Sequence, residues 1–158
     1  MKKIYLLGLS IGLLMPQLSL AYTCKNVPIT IHNLTDYQLE VVRVTTAQSD
    51  INLKYSDKIS PGQSLTARVW PTNGPGEAFA DQVSGAVEFD IWKNGHLIGM
   101  YKLHYAGSKK SGPGKKGASY CYFPKDRNYT TIHSDDSSLV TYEALGIRNE
   151  INFIVGYD

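Results

Sequence analysis

Apolar residues in this chain recur with period two rather than 3.6, so the pattern predicts strands and no amphipathic helix in residues 22–158. Val27, Ile29 and Ile31 alternate with Pro28, Thr30 and His32, and Asn33-Leu34-Thr35-Asp36 follows as a turn. Residues 37–46 are rich in β-branched types, and Ile51, Leu53 and Tyr55 alternate again. Ser60-Pro61-Gly62 marks the next turn, before Leu65, Ala67 and Val69. The PTNGPG stretch, residues 71–76, holds two prolines and two glycines and excludes both helix and central strand.

The strongest local signal is a hairpin. Val87, Phe89 and Ile91 alternate toward Asn94-Gly95, and Leu97, Gly99, Tyr101, Leu103 and Tyr105 alternate after it. Asn-Gly suits a type I′ turn, whose two central residues both need positive φ. Further strands are expected at 118–123, 129–133, 138–144 and 150–157. About nine or ten short strands at this spacing predict an all-β domain, a single antiparallel β-sandwich, with a closed barrel as the competing architecture.

Residues 1–21 break the pattern. Lys2 and Lys3 precede an uncharged apolar run from Ile4 to Met15, and Ser19-Leu20-Ala21 offers small residues for cleavage. This is the layout of an export signal, too short for a comfortable membrane span. The expected organisation is therefore a cleaved signal, 1–21, and one sandwich domain, 22–158, in a secreted or periplasmic location. The compact Lys-Lys start is of a bacterial kind.

Export changes the charge. The chain has 16 Lys+Arg and 14 Asp+Glu, and Lys2 and Lys3 leave with the signal, so the remainder carries 14 of each. A net charge of zero provides no global field for nucleic acid. Cys24 and Cys121, the two cysteines of the chain, are expected to form one disulfide in an oxidising compartment, with two separate buried thiols as the alternative.

Catalytic signatures are sparse. Gly112 to Gly117 spells G-x-G-x-x-G, but a β-like run follows it where a dinucleotide site needs a helix. The four histidines, His32, His96, His104 and His133, have no metal-ligand spacing, so neither a metal nor any other cofactor is expected. His133-Ser134-Asp135-Asp136 holds the residue types of a hydrolase triad, yet Ser and Asp also build turns for backbone reasons alone. Asn33-Leu34-Thr35 and Asn128-Tyr129-Thr130 match the glycosylation sequon.

The candidate contact surface is segment 101–129, where lysines and glycines sit in an aromatic frame. The expected ligand-binding residues are Lys109, Lys110, Lys115 and Lys116, with Tyr105, Tyr120 and Tyr122. Lysine supplies charge for phosphate or carboxylate, and tyrosine an amphipathic ring for a lipid–water interface or a sugar. Trp70 and Trp92 join the set if the two strand ends that carry them meet at one rim.

Some segments are similar to those of aegerolysin-like and actinoporin-like secreted β-sandwiches. They are Ile29-Thr30-Ile31-His32-Asn33-Leu34-Thr35, Ser60-Pro61-Gly62-Gln63-Ser64, Gly85-Ala86-Val87-Glu88-Phe89 and the ending Gly156-Tyr157-Asp158. The resemblance implies a single sandwich that binds membrane lipid, in some members forming pores with a partner protein. The export signal and the cysteine pair depart from the aegerolysin pattern, and the amphipathic N-terminal helix of actinoporins is missing. The expected function is therefore non-catalytic binding to lipid headgroups or surface glycans, as a virulence or toxin-like factor. The alternatives are an effector or inhibitor module with a protein partner and, behind that, a small hydrolase.

Overall fold

The computed structural model describes residues 23–72, 81–112, 119–144 and 149–158. The expected signal, residues 1–21, lies outside them. The described chain is all-β, with one 3-10 turn, Lys125–Arg127. The strands are β1 (Val27–Asn33), β2 (Gln38–Thr46), β3 (Ser49–Ile51), β4 (Lys58–Ile59), β5 (Ser64–Pro71), β6 (Gln82–Lys93), β7 (His96–Ser111), β8 (Ser119–Tyr122), β9 (Tyr129–Ser134), β10 (Leu139–Ala144) and β11 (Ile151–Tyr157).

They form two sheets. One has the order β10-β11-β1-β5-β3; the other has the order β4-β2-β6-β7-β8, with β9 also on β7. Both orders are open paths, so two sheets replace the barrel alternative. β7 serves two neighbours in succession: β9 pairs with Gly99–His104 and β8 with Ser108–Ser111.

Three details differ from the sequence pattern. The described strands number eleven: of the alternation expected at 51–55 only Ile51 is strand, as the end of short β3, and the two-residue β4 lies beyond it. The sandwich is not wholly antiparallel, since β1 and β11 pair in parallel, with Ile29 beside Ile151 and Asn33 beside Val155. β7 runs on to Ser111 and carries the lysine pair into the sheet. The Asn94-Gly95 hairpin has the expected geometry, with φ of 51° and 80° at the two residues.

The core lies between the inward faces. Ile29, Ile31, Val69, Phe153 and Val155 come from one sheet, and Leu39, Val87, Phe89, Ile91, Tyr101 and Leu103 from the other, all buried. Phe89 and Tyr101 stack at 5.5 Å between ring centroids. Tyr105 belongs to the same row, because it shares the inward parity of Tyr101 and Leu103. Gly85 leaves room for its ring, since an added Cβ there would clash with the Tyr105 hydroxyl and lie 2.7 Å from Tyr105 Cζ.

The disulfide joins Cys24 to Cys121. Cys24 precedes β1 of the first sheet and Cys121 lies in β8 of the second, so the bridge staples the sheets together at one end. Both residues are fully buried. Nearby, the Cys24 amide donates to Asp81 Oδ1 at 3.0 Å, and the Cys121 amide to Asn149 Oδ1 at 2.8 Å.

Two buried asparagines tie loops to strands. Asn33 Nδ2 donates to Tyr37 O at 2.6 Å and to Ile59 O at 3.0 Å. Asn128 Oδ1 accepts from the Ala106 amide at 2.9 Å, and its Nδ2 donates to Ala106 O and Pro124 O. These are the asparagines of the two sequons. With 0% and 1% exposure and engaged amide nitrogens, they are structural and closed to a glycan in the folded state.

Candidate functional site

Alternation along the β7–β8 hairpin divides the expected contact residues. Lys109 lies opposite Cys121 and Lys110 opposite Tyr120, so the two lysines leave the strand on opposite faces. Lys109 is drawn back by Asp81, with Nζ 3.3 Å from its carboxylate and the backbone amide donating to Asp81 O at 3.1 Å. Lys110 stays on the outer face, its Nζ 5.8 Å from the centroid of the Tyr122 ring. A cation over a tyrosine face is held by the ring quadrupole and still presents donors to solvent.

Behind the hairpin the chain turns at Pro124 into the 3-10 turn. Asn128 Nδ2 clamps Pro124 O at 2.6 Å and fixes this turn against β7. Lys110, Tyr122, Ser108, Pro124, Asp126 and Arg127 then line one open cavity of about 310 Å³. A narrower cavity of about 130 Å³ adjoins it, sharing Ser108, Pro124 and Arg127. Lys110 and Arg127 against Asp126 leave one net positive charge, beside one hydroxyl and one aromatic face. This set can hold a small anion against an aromatic surface.

Asp126 and Ser108 were not among the residues singled out from sequence. The aromatic–basic density of segment 101–129 contained Arg127, but its meeting with Lys110 depends on the Asn128 clamp. Lys115 and Lys116 lie outside the described residues. Tyr120 is half-buried beside Lys110 on β8. Tyr105 is no surface contact: it is 1% exposed and its hydroxyl is 3.0 Å from Ser49 Oγ. Burial pushes the Tyr105 phenol up from its usual pKa.

Trp70 and Trp92 do not share a rim. Trp70 pairs with Asp50, next to Ser49, whose hydroxyl donates to Ser84 O at 2.9 Å. Trp92 lies eight residues beyond Ser84 on β6, roughly 26 Å away along an extended strand. Trp70 is thus toward the Lys110 end, and Trp92 at the opposite end beside Gln38 and Leu97.

The other polar clusters are mostly engaged. Across the outer face of the second sheet, Glu88 bridges Lys102 at 2.8 Å and Arg43 at 3.8 Å. The bond from Lys102 holds the Glu88 carboxyl below the usual range against the opposing effect of burial. His104 stacks on Tyr129 at 4.3 Å, and its pKa is lowered by burial and then by Lys102. His32 sits between Ser64 Oγ at 2.8 Å and Asn152 Oδ1 at 3.1 Å.

The His133–Asp136 turn holds itself together. Ser134 Oγ donates to Ile98 O at 3.3 Å and accepts from the Asp136 amide at 3.1 Å. Asp136 accepts from the Ser138 hydroxyl at 2.6 Å and from the Tyr37 hydroxyl at 2.5 Å. These bonds hold the Asp136 carboxyl at about 2 and push the Tyr37 phenol well above its usual value. Among the described residues, no group of three or more His, Cys, Asp or Glu is placed to hold a metal ion. No described helix is long and apolar enough to cross a membrane.

No protein-family model matches this chain, and a search of curated proteins finds no relative.

Proposed function

We propose that this protein is an exported, non-catalytic binding module that recognises anionic lipid headgroups through the β7–β8 end. The single observation that carries this reading is the cavity in which Lys110, seated on the Tyr122 ring, meets Arg127. Two cations beside an aromatic face and a serine hydroxyl match a phosphodiester at a lipid–water interface. The pairing of β7 with β8 holds Ser108, Lys110 and Tyr122, and the Asn128 clamp holds the turn that carries Arg127, which lowers the ordering cost on contact. The resemblance to aegerolysin-like and actinoporin-like sandwiches points toward lipid as well.

Flotation of the oxidised protein with phosphatidylserine-containing and pure phosphatidylcholine vesicles, at low and high salt, tests it. Each cation near an anionic surface contributes about 1 kcal/mol. Removing both in Lys110→Ser/Arg127→Ser should then weaken partitioning to anionic vesicles roughly 30-fold at low salt. Binding that is insensitive to salt and to this variant would rule the headgroup site out.

A protein partner is favoured by a different observation. Leu97 and Met100, 54% and 41% exposed, flank an open cavity of about 720 Å³ together with Ile98, Ile132 and His133. Exposed apolar side chains around a cleft are a resource for protein contact. Capture of a polypeptide by the wild type but not by Leu97→Ser/Met100→Ser, with no vesicle binding, would favour the effector or inhibitor alternative.

A further inference from the structure

The end of the sandwich opposite Lys110 carries a second groove with different chemistry. It opens between the start of β2, β4 and the Asn94-Gly95 turn, with a volume of about 470 Å³. Asp36, Gln38, Glu40, Lys58, Trp92 and Asn94 line it. Gln38 lies directly across from Trp92 in the β2–β6 ladder, so the amide and the indole occupy neighbouring positions on one face. Asn94 stands at the turn that ends β6, exposed and held at φ 51°.

We propose that this groove is a saccharide-binding subsite for a neutral hexose of a surface glycan, separate from the headgroup site. Three features support it. Trp92 is half-buried on the outer face, which leaves part of an indole surface for the C–H face of a pyranose. The side-chain amides of Gln38 and Asn94 and the Asp36 carboxylate offer donors and acceptors suited to adjacent sugar hydroxyls. The charge is wrong for an anion: Lys58 is held by Glu40 at 3.6 Å, and Asp36 leaves the groove net negative. A phosphate or sialic acid is therefore repelled here, whereas a neutral sugar is not.

The volume fits one to two sugar rings. Along β6 the groove is about ten residues from the Ser108 pairing, roughly 33 Å, so the two sites act on separate ligands.

The test uses the full oxidised protein on an array of neutral, sialylated and sulphated oligosaccharides, followed by titration of the best neutral trisaccharide. Neutral hexose glycans should bind, with affinity lowered tenfold or more in Trp92→Ala and in Gln38→Ala. Gln38→Ala keeps the indole itself, so a folding defect in the tryptophan variant does not decide the matter. Lys110→Ser/Arg127→Ser should bind the same glycans with unchanged affinity, which separates this site from the headgroup site. Absence of neutral-glycan binding at millimolar concentration, or binding indifferent to Gln38→Ala and Trp92→Ala, overturns the proposal. A preference for sialylated or sulphated glycans that is lost in Lys110→Ser/Arg127→Ser also overturns it.

Discussion

Removing the disulfide should cost this fold a large part of its stability. Cys24 and Cys121 are separated by 97 residues, so the bridge closes a very long loop in the unfolded chain. The loop-closure relation, −2.1 − 1.5R ln n, gives about −16 cal/mol/K for that length, or about 4.7 kcal/mol at 298 K. Domains of this size have about 5–15 kcal/mol in total. Cys24→Ala/Cys121→Ala should therefore lower the unfolding free energy by about 4–5 kcal/mol and the midpoint temperature by about 12–15 °C. Urea unfolding followed by tryptophan fluorescence measures the first and calorimetry the second. The slope against urea should rise as well, because an uncrosslinked unfolded chain exposes more surface. Native-state hydrogen exchange adds a local check. β8 is four residues long, and among the described residues its strand ladder runs to Ser108–Ser111 of β7 alone, so its amides should lose protection first. A loss under about 1 kcal/mol with an unchanged slope would refute the argument. It would mean that packing, not the bridge, joins the two sheets at this end.

Other expectations follow from single contacts. Asn128→Ala removes the partner of the half-buried amide and carbonyl of Ala106 and one of the two donors to Pro124 O, which keeps the Arg127 amide at 3.2 Å, and should cost about 1–3 kcal/mol in urea unfolding. It should also weaken anionic-vesicle binding by releasing the turn that carries Arg127. The Asp136 carboxyl titrates at about 2 when folded and near 3.9 when unfolded, so its stabilisation is complete above pH 4 and is lost as pH falls toward 2. The stability gap between wild type and Asp136→Asn should thus close over that window, and a gap that persists at pH 2 would contradict the assignment. Gly107→Ala places a Cβ 2.7 Å from the Phe123 ring and should destabilise by about 1–3 kcal/mol. Adding Phe123→Leu should restore part of that loss, as read by thermal unfolding; no recovery would show that the strain lies elsewhere.

Much of the fold was legible because burial on one face forces period two on the residues. Val27, Ile29 and Ile31, or Val87, Phe89 and Ile91, declare their inward parity in the chain itself. The Asn94-Gly95 hairpin declares its turn in the same way, since few other residues accept positive φ. The disulfide was legible by counting. The site was less so. Parity already placed Tyr105 in line with Tyr101 and Leu103, yet composition alone set it beside the lysines. Lys109 and Lys110 are equal in the sequence and differ in the fold, because Asp81 lies in a segment that meets β7 only after the sheet is assembled. The separation of Trp70 and Trp92 rests on which strand is paired with which, and alternation carries no information about that. The sequons show the same limit, because a local triplet cannot reveal that its asparagine will bond to strands and turns elsewhere.

The parallel pairing of β1 with β11 sets an order of events on folding. β11 sits between β10 and β1 and supplies Ile151, Phe153 and Val155 to the interior. The first sheet is therefore split until the eleventh strand has been synthesised, and β1, the earliest strand, waits for a neighbour more than a hundred residues away. Contacts of such long range close slowly. A nascent chain of this design has no finished interior while its earlier strands emerge.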